Sequence, residues 1–310
     1  MSLPTRLTGA LRLTDWGVIR ARGADAASFL HSQLTQDVEH LAEGQARLAG
    51  YCSAKGRLLA SFIAWRNGAD EILLACSADL LPATLKRLSM FVLRAKCKLD
   101  DASTDWALYG LAGDAALGWL AADAPAAAWQ VNKSLDGQVL RLPDAQGTAR
   151  FLLVLPASSP APTLPALDAD AWRWLEVHSG VARIVAPTVE HFVPQMVNLE
   201  LVGGVNFQKG CYPGQEIVAR SQYRGTLKRR AMIFDSEAEL QPGQEVFHSA
   251  DPAQPAGQIA NAGRLPNGPS SALIEVKLAA LGSGSWHLGA ADGPLLHPAA
   301  LPYELPADTA

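Results

Sequence analysis

With 310 residues and 49% hydrophobic content, the chain can bury more than one apolar core, and its composition is far from that of a disordered polypeptide. Its formal net charge of −4 supplies no global field toward nucleic acid or an anionic membrane, so any polyanion site has to be a local patch. No run of about 18 apolar residues is present, which argues against a spanning helix. The N-terminal stretch lacks the charged and then uninterrupted apolar regions of a signal peptide, so the cytoplasm is the expected compartment. Cys52, Cys76, Cys97 and Cys211 lie far apart, with no C-x-x-C pair and no histidine at ligand spacing. They spell neither a zinc site nor a disulfide framework, and no metal is expected.

Along the chain, Gly23-Ala24-Asp25 precedes apolar residues at Ala26, Phe29, Leu30, Leu34, Val38 and Leu41, the spacing of one helical face that Gly44 would stop. Three β-type runs follow at 46–53, 57–66 and 70–76, and the Arg66-Asn67-Gly68-Ala69-Asp70 turn makes the last two a hairpin. Residues 78–93 read as an amphipathic helix with Leu81, Leu85, Leu88, Phe91 and Val92 on one side. Strands are expected near 105–111, 138–142 and 149–155. Four prolines between Pro156 and Pro165 mark a surface connection. Asp168 or Asp170 can then cap a short helix through Trp172, Leu175 and Val177 that ends at Gly180. From residue 231 the pattern becomes short strands (231–235, 244–248, 257–263, 271–278) between turns, as in a small β-barrel.

The chemistry concentrates between Lys209 and Arg230, where six basic residues (Lys209, Arg220, Arg224, Lys228, Arg229, Arg230) face one acid, Glu216. Gly210, Pro213 and Gly214 permit tight backbone geometry around Cys211. A thiol two residues from Lys209 in a positive, partly exposed setting would be activated, or it is a small buried hydrophobe. A nucleophile would also need a base, for which His178 and His191 are candidates only if the fold brings them close. A second cluster, Tyr51-Cys52-Ser53-Ala54-Lys55-Gly56-Arg57, puts a thiol and two cations at a strand turn, or is an ordinary β-turn. Trp16 and Trp172 each follow an aspartate near the start of an element and could stack on a heterocycle, although an indole is more often core.

The run Lys209-Gly-Cys-Tyr-Pro-Gly-Gln-Glu-Ile-Val-Ala-Arg220, followed by Tyr223-Arg224-Gly225 and Lys228-Arg229-Arg230, resembles the K-G-C-Y-x-G-Q-E signature of YgfZ-type folate-binding proteins, a branch of the glycine-cleavage T-protein superfamily. Leu13-Thr-Asp-Trp16-Gly-Val-Ile, the stretch from Phe29 to Val38, Tyr51 to Arg57 and Phe192-Val-Pro-Gln-Met-Val-Asn-Leu199 extend the resemblance over most of the chain. It implies an α+β, three-domain cloverleaf around a central folate cavity. The domains would be 1–46 with 160–228, a ferredoxin-like 47–155, and a C-terminal β-barrel over 229–310. It further implies a tetrahydrofolate-binding accessory protein of iron–sulfur cluster assembly or repair, and thereby of tRNA modification. Its partners would be folate, iron–sulfur proteins or their assembly machinery, and tRNA or tRNA-modifying enzymes, with no membrane.

Residue by residue, Trp16 and Trp172 match positions implicated in folate contact, and Lys209, Cys211 and Gln215 match the signature itself. Arg220 and Arg224 belong to the basic segment that would attract the glutamate tail. The superfamily's aminomethyltransferases carry an acidic pair where this chain has Ala60 and Ser61, so glycine cleavage is not expected unless Glu216 or Asp37 substitutes. Two alternatives stand beside this reading: an aminomethyltransferase-like one-carbon enzyme, and a tRNA-binding module using residues 220–230 on phosphates.

Overall fold

The computed structural model describes residues 7–223 and 227–306. Its first strand, β1 (Gly9–Arg12), leaves for a partner far along the chain, whereas β2 (Trp16–Arg22) enters a local sheet. That sheet is completed by β3 (Ala46–Cys52), β4 (Leu58–Arg66), β5 (Glu71–Ser77) and β6 (Lys98–Asp101), antiparallel throughout in the order β3-β4-β5-β2-β6. Strand side chains alternate between faces. Along β4 this sends Ala60, Phe62 and Ala64 into a core shared with α1 (Ala26–Gln33), while Ile63 and Trp65 enter a second core on the other face.

The helix starting at Ala26 is shorter than its apolar spacing suggests. It ends at Gln33, and Leu34 is already extended and bridged to Tyr51. The cause is Thr35, whose buried hydroxyl donates to Gly204 O at 2.6 Å and accepts from Gly50 N–H at 2.7 Å, while its own N–H donates to Gly50 O. Those tertiary bonds commit the backbone to β3, and Val38 and Leu41 reach the same core from a loop. The helix expected over 78–93 is also trimmed, to α2 (Leu81–Ser89), and Leu93 adopts a left-handed φ of 37° in the turns that follow.

The second sheet runs β1-β7-β10-β9-β8, with β7 (Trp106–Ala112), β8 (Val131–Ser134), β9 (Gly137–Ala145) and β10 (Thr148–Pro156). Its outer face packs on α3 (Gly113–Leu120), an alanine-rich helix with too little contrast between its faces to stand out in the sequence. Leu108, Leu140, Leu152 and Val154 on the inner face share one core with Val18, Ile63, Trp65 and Leu73 of the first sheet. The proline-rich connection then returns alongside β1, where Ala10 N–H donates to Pro165 O at 2.8 Å and Leu167 N–H to Ala10 O at 2.9 Å.

Helix α4 (Ala169–His178) is capped by Asp168, whose carboxylate accepts from the N–H groups of Asp170 and Ala171. Such a cap contributes about 1 kcal/mol. The helix wedges the second sheet against the C-terminal barrel. Trp172 lies flat on Gly110, where an added Cβ would sit 2.8 Å from the indole, so only glycine admits the ring there. After α5 (Gln215–Tyr223), the chain closes a six-stranded antiparallel barrel. Its strands are β11 (Arg229–Ser236), β12 (Glu245–His248), β13 (Gly257–Arg264), β14 (Ser270–Lys277), β15 (Trp286–Leu288) and β16 (Leu295–Ala299).

His178 locks α4 to this barrel. Its Nε2–H donates to Ser271 Oγ at 3.1 Å, the Ser271 hydroxyl donates to Asp235 Oδ1 at 2.5 Å, and the Gln146 amide donates to Nδ1 at 3.1 Å. With both ring nitrogens engaged and burial disfavouring charge, His178 is pushed down to about 4 from the usual 6.5 against the opposing pull of Asp235. A neutral native histidine stabilises the fold fully above the unfolded value, and the contribution is lost as pH falls through 6.5 toward 4. The shift corresponds to about 3 kcal/mol. Urea unfolding at pH 7 and pH 4 should therefore show the stability gap between the parent and His178→Gln shrinking by about that amount at the lower pH; an unchanged gap would show that the imidazole does not titrate as its surroundings require.

Candidate functional site

Arg183 occupies the point where the first sheet, α4 and the barrel meet. Its Nη2 donates to Asp15 Oδ2 at 2.8 Å and lies 3.7 Å from Glu176 Oε2 of α4, and Nη1 reaches Asp15 O at 3.2 Å. The guanidinium lies 4.8 Å from the centre of the Trp16 ring. The side-chain amide of Asn261 on β13 takes both the N–H and the C=O of residue 183, at 2.9 and 2.8 Å. Burial opposes the charge, but Glu176 and Asp15 more than restore it and hold the guanidinium above its ordinary value.

Behind Arg183 lies a cavity of about 40 Å³, lined among others by Trp16, Ser61, Trp129, Arg150 and Glu176. In front of it an open cleft of about 800 Å³ runs between α4 and the barrel, with Asp15, Arg173, Glu239 and Arg264 on its walls. Arg183 and Glu176 line both spaces. Ser61 accepts a hydrogen bond from Ile184 N–H at 3.0 Å, and Ala60 faces the opposite core. Strand β4 therefore puts no carboxylate at these two positions. The nearby acids are Glu176 and Asp15, both held by Arg183.

Arg150 is only 3% exposed and makes no ion pair among the described residues. Its Nη1 donates to Pro143 O at 3.2 Å, its guanidinium covers the face of Trp172 at 4.7 Å, and burial lowers its pKa to about 10 despite Glu176 and Asp144. The Nε atoms of Arg150 and Arg183 and the indole Nε1 of Trp16 are buried without a hydrogen-bond partner. Unpartnered buried donors occur elsewhere in the molecule too, on Arg87, Arg230 and Trp174 among others, but these three belong to residues that line one cavity, where a bound group could satisfy them.

The cysteine motif sits elsewhere. Gly214, at φ 79°, packs so closely on the turn before β4 that a Cβ would lie 2.4 Å from Ser53 O and 2.7 Å from Gly56 Cα. The two glycine-bearing cysteine clusters of the sequence are thus one structural unit. From Leu58 to Ser61 strand β4 advances about 10 Å at roughly 3.3 Å per residue, which separates this unit from the Arg183 cavity. Cys211 is exposed at its surface, while Cys52 is fully buried and its thiol is pushed up to about 12 by desolvation. Burial, with Cys52 nearby, also pushes the Tyr212 phenol up.

Lys209 caps the C-terminal end of α1, donating from Nζ to the carbonyls of His31 and Leu34 (2.5 and 3.0 Å), and lies 4.8 Å from the Tyr212 ring centre. Desolvation lowers its pKa to about 8, with Asp37 and Cys211 pulling the other way. The imidazole beside this loop is His31. Its Nδ1 bonds Asp37 Oδ1 at 2.9 Å, and its Nε2 would be 3.6 Å from a Cβ at Gly210. Asp37 is held at about 2 by hydrogen bonds from His40 and His31 that overcome its partial burial. His178 is occupied in the barrel lock, and His191 bonds Gln258 on the barrel.

Of the residues singled out in the sequence, Lys209, Cys211, Gln215 and Arg220 share the loop and helix around the thiol, with Arg220 paired to Glu216 at 3.0 Å. Trp16 lines the cavity, and Trp172 is 2% exposed and lies behind Arg150 rather than on the lining. Arg224 lies outside the described residues. The basic segment is not a continuous free patch, which corrects the reading from charge alone. Arg230 is buried in an ion pair with Glu200, and Arg229 forms a bidentate pair with Glu275 at 2.8 and 3.0 Å. Arg150, Glu176 and Arg183 went unnoticed because they lie singly in unremarkable stretches; only the fold converges them.

No protein-family model matches the chain. Among curated proteins it is 34% identical over 242 residues to the tRNA-modifying protein YgfZ of Edwardsiella ictaluri, covering 75% of this chain and 72% of that one. It is 31% identical over 270 residues to the YgfZ protein of Aliivibrio fischeri, covering 84% and 82%. The YgfZ protein of Escherichia coli strain K12 is 30% identical over 241 residues, covering 75% and 73%. Among solved structures, the glycine cleavage system aminomethyltransferase T of Bartonella henselae superposes with a TM-score of 0.72 at 18% identity, covering 95% of this chain and 85% of that one. The α+β architecture with its closed C-terminal barrel is therefore the T-protein fold, and with identities of 30% or more over three quarters of its length the chain belongs to the YgfZ family of tRNA-modifying proteins.

Proposed function

We propose that this chain is a folate-binding accessory factor for tRNA modification, acting in iron–sulfur cluster assembly or repair, with separate ligand and thiol sites. The observation that carries the folate reading is the set of orphaned donors on Trp16, Arg150 and Arg183 around one aromatic-walled cavity. The pyrimidine half of a reduced pterin is flat, with a carbonyl acceptor on one edge and an amino group beside a ring N–H on another. Trp16 and Trp129 would stack on its faces, Arg150 and Arg183 would donate to its acceptors, and Glu176 would accept from its donors. Trp172 supports Arg150 from behind, and on the outer cleft Arg264 is the cation left for a tail carboxylate, since Arg173 is paired to Asp170 at 2.9 Å. Gln215 and Arg220 stand with the thiol instead.

A cavity of about 40 Å³ has room for about one water, so a pterin enters only with side-chain movement. Trp129, half-buried at φ 67° in an irregular segment before β8, is the wall placed to move. The aminomethyltransferase reading draws less support, because Ala60 and Ser61 stand where its acidic pair would be and Asp15 is held by Arg183 at 2.8 Å.

Titration of the protein with tetrahydrofolate, read by tryptophan fluorescence, should give a saturable change that Trp16→Ala attenuates. Glu176→Gln should weaken binding about 10- to 100-fold, the effect of removing a charged hydrogen-bond partner, with thermal unfolding checking that the fold survives. A parent protein without any saturable response would remove the folate reading.

For the thiol, exposure of Cys211 against burial of Cys52 and Cys76 supports one surface cysteine as the functional one. Iodoacetamide on the native protein should modify Cys211 first, and Cys211→Ser should retain folate affinity while failing to support tRNA modification in a strain lacking the parent gene. Full complementation by Cys211→Ser would make the thiol structural.

A further inference from the structure

The last turn of α2, the turn that follows it and the start of β6 carry a second concentration of positive charge. Between residues 80 and 99 there are five cations (Lys86, Arg87, Arg94, Lys96, Lys98) and no acid. None of the five has an ion-pair partner among the described residues, and Lys86, Arg94, Lys96 and Lys98 are exposed. This contrasts with the 209–230 segment, whose Arg220, Arg229 and Arg230 are all paired.

The same turn exposes three large apolar side chains: Met90 at 58%, Phe91 at 42% and Leu93 at 88%. Its backbone is anchored, not loose. Asp25 accepts from Lys96 N–H at 2.7 Å and donates its own N–H to Lys96 O at 3.2 Å, which fixes the turn onto the start of α1. The other end of α1 is the one Lys209 caps beside Cys211. Eight helical residues span about 12 Å at 1.5 Å per residue, roughly two phosphate spacings of a polynucleotide strand.

We propose that residues 86–98 form an RNA-docking surface that lays a polynucleotide along α1 toward Cys211. Unpaired cations without intervening acids bind a phosphate backbone by releasing its counterions, and an exposed aromatic flanked by flexible apolar side chains offers a stacking face to unpaired bases. RNA is favoured over an acidic protein because the unpaired cations stand beside the exposed ring of Phe91, a stacking face that an acidic peptide would not need, and α1 leads from this segment to the one exposed thiol of the chain's described cysteines. The inference adds a binding surface to the tRNA-related reading above and does not depend on folate binding.

The test is fluorescence anisotropy with labelled, unmodified tRNA transcript against the full chain over a range of salt concentrations. Arg94→Glu/Lys96→Glu/Lys98→Glu should weaken binding at least about 10-fold and lower the steepness of log affinity against log salt by about 2 to 3, in line with three lost phosphate contacts. Lys133→Glu, an exposed charge on β8, should leave both unchanged. The tetrahydrofolate titration and thermal unfolding of the triple variant should match the parent, which separates failure of this surface from failure of the folate cavity. Equal tRNA affinity in the triple variant, or no tRNA binding by the parent, overturns the proposal. So does a parent that ignores tRNA but binds phosphatidylglycerol vesicles through the same residues, which would make the surface a lipid one.

Discussion

The placement of Arg183 is the constraint on which the rest of the molecule hangs. One guanidinium holds Asp15 ahead of the first sheet and Glu176 on α4, while the backbone of the same residue is clasped by Asn261 of the barrel. Charged hydrogen bonds among partly buried groups are stronger than neutral ones, and each acid here would carry a desolvation cost without the arginine. The arrangement makes an ion-pair node out of what would otherwise be three separate surfaces. It also shapes the cavity, because the side chain that ties the units together lines both the inner space and the outer cleft.

The thiol site follows a different logic. Its rigidity comes from glycine contacts: Gly214 against the Ser53–Gly56 turn, with Tyr212 covering the buried Cys52. Lys209 is spent on the carbonyls at the end of α1 and so acts as a cap. Cys52 is a protonated, desolvated thiol and does not form a surface pair with Cys211. Any cluster or persulfide chemistry at Cys211 therefore needs ligands from another molecule, which fits a factor that works on partners.

What could be read in the sequence was whatever local physics determines. The hairpin of β4 and β5 was visible because Asn67-Gly68 punctuates two β-rich runs, and the cap of α4 because Asp168 precedes an apolar face. The residues from Lys209 to Arg220 were visible because their pattern is unusual. Features set by distant partners were not. Thr35 ends α1 through bonds to residues 50 and 204, and Arg229 and Arg230 lose their availability to Glu275 and Glu200. Phe91 reads as part of the apolar side of a long helix until α2 stops at Ser89 and the following turn exposes it with Met90 and Leu93.

The clasp between Asn261 and residue 183 has a mechanical consequence. In a molecule whose barrel was joined to the rest by a pliant linker, a ligand could enter by hinge opening, with whole domains swinging apart. Here the barrel is bonded to the wall of the cavity through both backbone polar groups of one residue, and α4 is bonded to the barrel again through His178 and Ser271. Rigid-body opening would break all of these at once. The side chains lining the cavity could turn in place without breaking any of these bonds, so a local rearrangement costs less than a domain one.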